Sequence, residues 1–175
     1  MVDEMDLAQL IIEALKFIFP AYCANAMPVI VGGGLPMDFG RNFADGRPVF
    51  GKNKTFRGFF SGLVAGTVAG LAESAVFGTR FFPVWLGVLL SLGALLGDLL
   101  GAFLKRRIGL APGELLPVVD QIDFIAGALL LSLPVSLSLP SWSWELVVAA
   151  LIITLPVHLL TNLAAYKLKL KSKPW

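Results

Sequence analysis

The carboxylates that stand where charge is expensive are the first residues with chemical potential. Asp98 lies inside the apolar run "LLSLGALLGDLLGAFLKRRIG". A central Asp costs about 2.5–3.5 kcal/mol on membrane-insertion scales, so it marks either a functional group or a hydrogen-bonded structural one. Lys105 follows two helical turns later and projects from the same face, and Arg106 and Arg107 extend that positive cluster. In "PGELLPVVDQIDFIAG", Asp120 and Asp123 share one face at the head of a helix whose start Pro117 signals. The two could simply offset a helix dipole, worth about 0.3–1 kcal/mol each. With Asp98 and three cations close by, metal and phosphate handling is the better reading. An all-oxygen set of Asp98, Asp120 and Asp123 suits Mg²⁺, which binds one or two carboxylates plus substrate phosphates. No Cys/His set of the zinc type is present.

A second chemical stretch is "GRPVFGKNKTFRG", residues 46–58. Gly46-x-x-x-x-Gly51-Lys52 is one residue short of a P-loop, because Asn53 stands where Ser or Thr is required. A P-loop also needs a strand before it and a helix after it in an α/β sheet, whereas this loop joins two apolar runs. The P-loop reading is therefore rejected. Amides at the start of the following helix, with Asn53, Lys54, Thr55 and Arg57, favour polyphosphate or a nucleotide. The alternative is a polybasic loop held on anionic lipid at about 1 kcal/mol per cation. Nucleic acid is not an expected partner, since the basic residues lie against the membrane.

The elements that must position these groups are membrane helices. Of the 175 residues 57% are hydrophobic and 15% charged, with a mean hydropathy of +0.80; a soluble domain has about 25% charged residues. Five runs can cross a bilayer, at about 7–31, 59–77, 82–104, 122–139 and 144–166. Each must be helical, since unpaired backbone groups in hydrocarbon cost several kcal/mol. The expected class is an all-α integral membrane protein with one membrane-embedded catalytic domain, 1–175, and cytoplasmic loops at about 32–58 and 105–121. The opening MVDEMD is acidic and lacks the basic start of a secretory signal, so the first run is read as a retained helix. All Lys and Arg except Lys16 and Arg80 fall in the loop after span one, the loop after span three and the C-terminal tail. The positive-inside rule then puts the N-terminus outside and the C-terminus in the cytoplasm. Trp142, Trp144 and Trp85 suit the outer interface.

Glycines recur every four residues at Gly58, Gly62, Gly66 and Gly70, and again at Gly93, Gly97 and Gly101. Such seams let helix backbones approach closely, within the chain or in a homodimer. Pro134 and Pro156 are expected to kink spans four and five. His158 and Asn162 face one side of span five, and an interhelical hydrogen bond is expected. Glu13 and Lys16 can neutralise one another, Glu73 is expected to reach the outer interface, and the single Cys23 is read as a buried small hydrophobe.

Taken together, "GRPVFGKNKTFRG", "GDLLGAFLKRRIG" and "LPVVDQIDF" resemble the CDP-archaeol synthase family, archaeal membrane cytidylyltransferases related to CDP-diacylglycerol synthases. The resemblance covers nearly the whole chain. The pattern's Gly-Asp-Leu, its Lys-Arg pair and its two late Asp fall on Gly97-Asp98-Leu99, Lys105-Arg106, and Asp120 with Asp123. Departures from the bacterial and eukaryotic signature at Ala102, Pro112-Gly113, Leu115-Leu116-Pro117 and Gln121 favour the archaeal branch.

The resemblance implies transfer of CMP from CTP to an isoprenoid glyceryl ether lipid phosphate (unsaturated archaetidic acid), releasing pyrophosphate at the cytoplasmic face of the cell membrane. It also implies Mg²⁺ on Asp98, Asp120 and Asp123, with Lys105, Arg106 and Arg107 steadying phosphate charge. The competing reading is a small ion-coupled transporter or channel built on Asp98. The one-sided gathering of charge and the lack of an inverted repeat speak against it.

Overall fold

In the computed structural model, described here for residues 6–171 and 173, five helices make up the chain: α1 (Leu7–Val31), α2 (Phe56–Phe77), α3 (Val84–Arg107), α4 (Val119–Ser136) and α5 (Trp144–Lys167). Each is long and apolar enough to cross a membrane. Most of the acidic opening lies outside the described residues. Large apolar side chains face outward along the bundle, including Val64, Val76, Leu130 and Leu160, which suits a lipid surround rather than water.

The first helix keeps the expected bounds; the others shift by up to three residues for local reasons. α2 starts at Phe56, because the Thr55 hydroxyl accepts the Gly58 N–H at 3.1 Å and so caps the helix. α3 runs on through Lys105, Arg106 and Arg107, whose charges favour a helix C-terminus. α4 starts at Val119, after a γ-turn in which the Val119 N–H donates to Pro117 O at 2.8 Å and Val118 takes φ +68° and ψ −49°. Pro117 therefore precedes the cap instead of opening the helix. α4 ends at Ser136, beyond which the chain turns.

α3 is the central helix and packs on α4, α2 and α1. The glycine seams explain how. Gly62 and Gly66 lie against Ala24 O and Pro20 O of α1, and Gly70 meets Gly87 of α3 backbone to backbone. Gly93 and Gly97 rest on the Gly127 and Asp123 carbonyls of α4. Both seams are thus filled by the chain's own helices. The core between them includes Ile18, Leu86, Leu90, Phe124 and Ile125.

Three expectations change. Glu73 does not reach the interface: it continues the Gly62–Gly66–Gly70 face toward α1 and is buried, with Oε2 lacking a hydrogen-bond partner. The Asn162 amide lies 3.2 Å from a ring nitrogen of His158 within α5, while the imidazole stacks on Phe124 of α4. Their bond is therefore intrahelical. Cys23 is half-buried rather than buried. Glu13 and Lys16 pair at 2.6 Å as expected.

Candidate functional site

The site forms where the α1–α2 connection, the α3–α4 connection and the segment after α5 meet at one end of the bundle. Its first part is the loop between α1 and α2. Asp38, only 6% exposed, organises that loop. Its carboxylate accepts N–H bonds from Gly40 at 2.9 Å, Phe50 at 3.0 Å and Gly51 at 2.7 Å. Burial pushes the Asp38 carboxyl up, but the Gly51, Phe50 and Gly40 amides outweigh it and hold the carboxyl below its usual range. Gly51, at φ +97°, packs closely on Pro112 of the α3–α4 connection, so the two loops form one surface. Met37 N–H donates to Lys54 O at 2.8 Å, and Phe56 N–H to Leu35 O at 3.1 Å. These bonds fix Lys54 and Thr55 at the mouth of α2.

From there Lys54 reaches α3. Its ammonium donates to Asp98 Oδ1 at 2.5 Å and to Oδ2 at 2.6 Å, with both side chains about one-quarter exposed. A second pair lies beside it: Lys105 Nζ is 2.7 Å from Asp120 Oδ1, each side chain 15% exposed. That contact is an ion pair without hydrogen-bond alignment, so Asp120 Oδ1 is left without a directed partner; Asp120 Oδ2 accepts the Leu116 N–H at 3.0 Å. Asp123 lies one turn deeper. Its Oδ1 accepts the Phe124 N–H at 2.6 Å, and Oδ2 occupies the space a Cβ on Gly101 would need. The Asp123 carboxylate is within electrostatic reach of Asp98, Lys54 and Asp120. Gly97 and Gly101 therefore hold the Asp123 turn beside Asp98.

Among the described residues, no three carboxylate, His or Cys groups are close enough together to chelate one ion. The donor chemistry nevertheless fits a hard divalent cation that takes most of its ligands from a substrate. The oxygens belong to paired carboxylates, and one of them, Asp120 Oδ1, is buried without a directed hydrogen bond.

The remaining candidates sit at the margin of this cluster. Arg106 is 3% exposed and turns back on its own helix end, donating to Leu110 O at 2.5 Å and Ala102 O at 3.4 Å. Arg107 clasps the first loop: it donates to Asp45 Oδ1 at 2.6 Å and Pro48 O at 2.5 Å, and lies 4.8 Å from the rings of both Phe43 and Phe103. Arg47 answers from the loop, donating to Arg107 O at 2.6 Å. Thr55 is occupied as the α2 cap. Arg57 donates to Gly32 O at the end of α1. Asn53 is exposed, its amide facing Gly113 across the two loops.

Two residues of this end carry no role in the sequence reading. Asp38 had a local signal, an Asp two residues before a Gly, as in an Asx-turn. Lys171 had none: it follows a chain reversal after α5 and donates to Asn162 Oδ1 at 2.9 Å.

The model of the family described as "CarS-like: CDP-archaeol synthase" matches residues 7–175. The chain is 44% identical over 170 residues to the CDP-archaeol synthase of Pyrococcus furiosus, covering 94% of this chain and 98% of that one. It is 46% identical over 164 residues to the CDP-archaeol synthase of Methanopyrus kandleri, with coverage of 93% and 92%. A solved structure of an intramembrane enzyme for archaeal membrane lipids biosynthesis superposes with a TM-score of 0.78 at 39% identity, covering 87% of this chain and 94% of that chain. With the family model and these relatives matching nearly from end to end, the protein belongs to the CDP-archaeol synthase family.

Proposed function

We propose that the protein is a cytidylyltransferase that makes CDP-archaeol from CTP and an unsaturated isoprenoid glyceryl ether lipid phosphate. The observation that carries this reading is the pair of lysine–aspartate contacts, Lys54 with Asp98 and Lys105 with Asp120, held beside Asp123 at the mouth of a membrane bundle.

The chemistry asks little of a general base. A phosphate monoester has its second pKa near 6, so the nucleophile is already largely dianionic at neutral pH. One of its oxygens attacks the α-phosphorus of CTP, and the bond from that phosphorus to the β-phosphate oxygen breaks. The pyrophosphate leaves with the bond's electron pair. The difficulty is bringing two anions together in line, a task of positioning and charge neutralisation. Lys54 and Lys105 would move from their aspartates onto phosphate oxygens as substrate enters. Asp38 holds the loop so that Lys54 and Asn53 face the incoming nucleotide. Arg106 and Arg107 keep the end of α3 and the first loop in register. Mg²⁺ held by one or two of the carboxylates of Asp98, Asp120 and Asp123, with its other ligands from substrate, would supply charge neutralisation to the triphosphate. Lipid tails would enter from the bilayer between the helices.

The positive-inside distribution supports a cytoplasmic site, an external N-terminus and a cytoplasmic C-terminus. Since both glycine seams are filled within the chain, a homodimer would use other, lipid-facing surfaces.

Pyrophosphate release by the purified protein in detergent tests the proposal. CTP and Mg²⁺ are supplied with di-geranylgeranylglyceryl phosphate, with diacyl phosphatidic acid, or without lipid. Release only with the ether lipid, abolished by EDTA and restored by Mg²⁺, is expected. Equal release with both lipids would remove the substrate claim, and release indifferent to EDTA would remove the metal.

A further inference from the structure

Lys171 stands apart from Lys54 and Lys105 at this end of the bundle, and from the exposed Lys52, Lys167 and Lys169 by its burial. Lys54 and Lys105 each face a carboxylate. Among the described residues, Lys171 makes no ion pair; its ammonium donates to a neutral amide, Asn162 Oδ1, at 2.9 Å. It is nonetheless drawn in from solvent. Burial, then the Lys54 charge, lowers its pKa, while Asp120 and Asp98 act in the opposite direction. A half-buried ammonium without a matching anion is costly unless a ligand supplies one.

The backbone directs it there. α5 ends in a double cap in which the Lys169 N–H donates to Tyr166 O at 2.9 Å and the Leu170 N–H to Ala165 O at 2.9 Å. Lys169 takes φ +60° to close this reversal, a conformation that usually calls for glycine or asparagine. The chain then runs back along α5, and Lys171 meets Asn162, nine residues earlier. Asn162 is itself fixed by His158, whose ring stacks on Phe124, the residue after Asp123.

We propose that Lys171 is a phosphate-binding residue, folded back along α5 at the same end of the bundle as the Lys54–Asp98 and Lys105–Asp120 pairs, where it supplies the unmatched positive charge that receives a substrate phosphate. This rests on the transferase reading for the identity of the phosphate, which belongs either to the triphosphate of CTP or to the lipid phosphomonoester. The lysine's role as an anion site can be judged without turnover.

The test compares wild type, Lys171→Gln and Lys171→Arg in detergent. Calorimetric binding of CTP, of inorganic pyrophosphate and of the lipid phosphate is measured, together with KM and kcat for both substrates and the melting temperature. Lys171→Gln is expected to weaken one phosphate ligand about 10-fold, with kcat at saturation much less affected; Lys171→Arg should stay within about 3-fold of wild type. Weakened CTP and pyrophosphate binding assigns the lysine to the triphosphate, and weakened lipid binding alone assigns it to the acceptor. Wild type and Lys171→Gln binding all three ligands alike would overturn the proposal. So would an equal loss in both variants together with a lowered melting temperature, which would make the Asn162 contact structural. A wild type that binds these anions through Lys171 but never releases pyrophosphate would overturn the transferase reading and leave the anion site standing.

Discussion

Lys54, on the loop before α2, closes on both carboxylate oxygens of Asp98, inside α3, at 2.5 and 2.6 Å. The contact spans 44 residues of sequence and links the basic loop to the membrane carboxylate. Each residue neutralises the other. Removing either leaves an uncompensated charge in a partly desolvated site and, on the proposed function, deprives the reaction of one electrostatic partner. Lys54→Met and Asp98→Asn are each expected to lower kcat/KM at least about 100-fold, roughly 3 kcal/mol of transition-state stabilisation. The double variant should lose far less than the two losses combined, because the residues act on one another. Steady-state kinetics on the four proteins checks this; fully additive losses would mean that the pair does not act as a unit.

Gly101 is tied to Asp123 by space. An added methyl group would fall on the Asp123 carboxylate. Gly101→Ala should therefore displace the Asp123 carboxylate while changing no polar atom. About 1–3 kcal/mol of overpacking cost is expected, with a lower melting temperature and a fall in kcat. Gly34→Ala makes a useful comparison: unlike Gly101, Gly34 has a positive φ, +83°, so alanine is strained there, but nothing lies within 4 Å of its added Cβ. It should leave the Mg²⁺ dependence of turnover unchanged, whereas Gly101→Ala should shift it. A Gly101→Ala enzyme with wild-type turnover would show that Asp123 need not stay where it is.

Arg107 separates two kinds of basic residue. Its contacts are to Asp45, to Pro48 O and to two aromatic rings, so its variants should loosen the first loop. Arg107→Lys keeps the charge but loses the planar fork and the stacking. With each cation–π contact worth about 0.5–1 kcal/mol, faster proteolysis within residues 41–50 and a raised KM for CTP are expected, with kcat largely kept. If Arg107→Lys matches wild type while Arg107→Gln loses phosphate affinity without faster proteolysis, Arg107 binds substrate directly.

Asp38 gives a pH signature. Its folded-state pKa lies below its unfolded value, so its contribution to stability is complete above the unfolded value of about 4 and is lost as pH falls through the folded value. Asp38→Asn should cost about 2–3 kcal/mol at neutral pH, since an amide cannot accept all three N–H donors as well. The gap in melting temperature between wild type and variant should narrow below about pH 4. A gap independent of pH would assign the effect to something other than the carboxylate charge.

The helices were legible because a membrane span needs only length and apolarity, and α1 follows its apolar run to the residue. Where the starts of α2 and α4 moved, the cause was local hydrogen bonding that hydropathy does not register: the Thr55 cap and the γ-turn at Val118. Asp98, Asp120, Asp123, Lys54 and Lys105 could be singled out because charge in or beside an apolar run has few explanations. Which way a cation turns could not be read. Arg106 and Arg107 look like Lys105 in sequence, yet Arg106 bends onto carbonyls at its own helix end, and Arg107 onto a carboxylate, a carbonyl and a ring that the folded loop brings near. Glu73 went inward because the face it shares with the glycine seam meets α1. Lys171 was hidden by a reversal at a residue, Lys169, whose side chain gives no hint of it.

The most direct test of the account follows the α-phosphorus of CTP. The protein is incubated in detergent with Mg²⁺, the ether lipid phosphate, and CTP labelled either at the α- or at the γ-phosphorus. The expected result is α-label in the lipid fraction and γ-label in released pyrophosphate, with both transfers lost in Asp98→Asn. Label from the γ-position in the lipid, or neither label leaving CTP when the wild-type protein is folded, would contradict it.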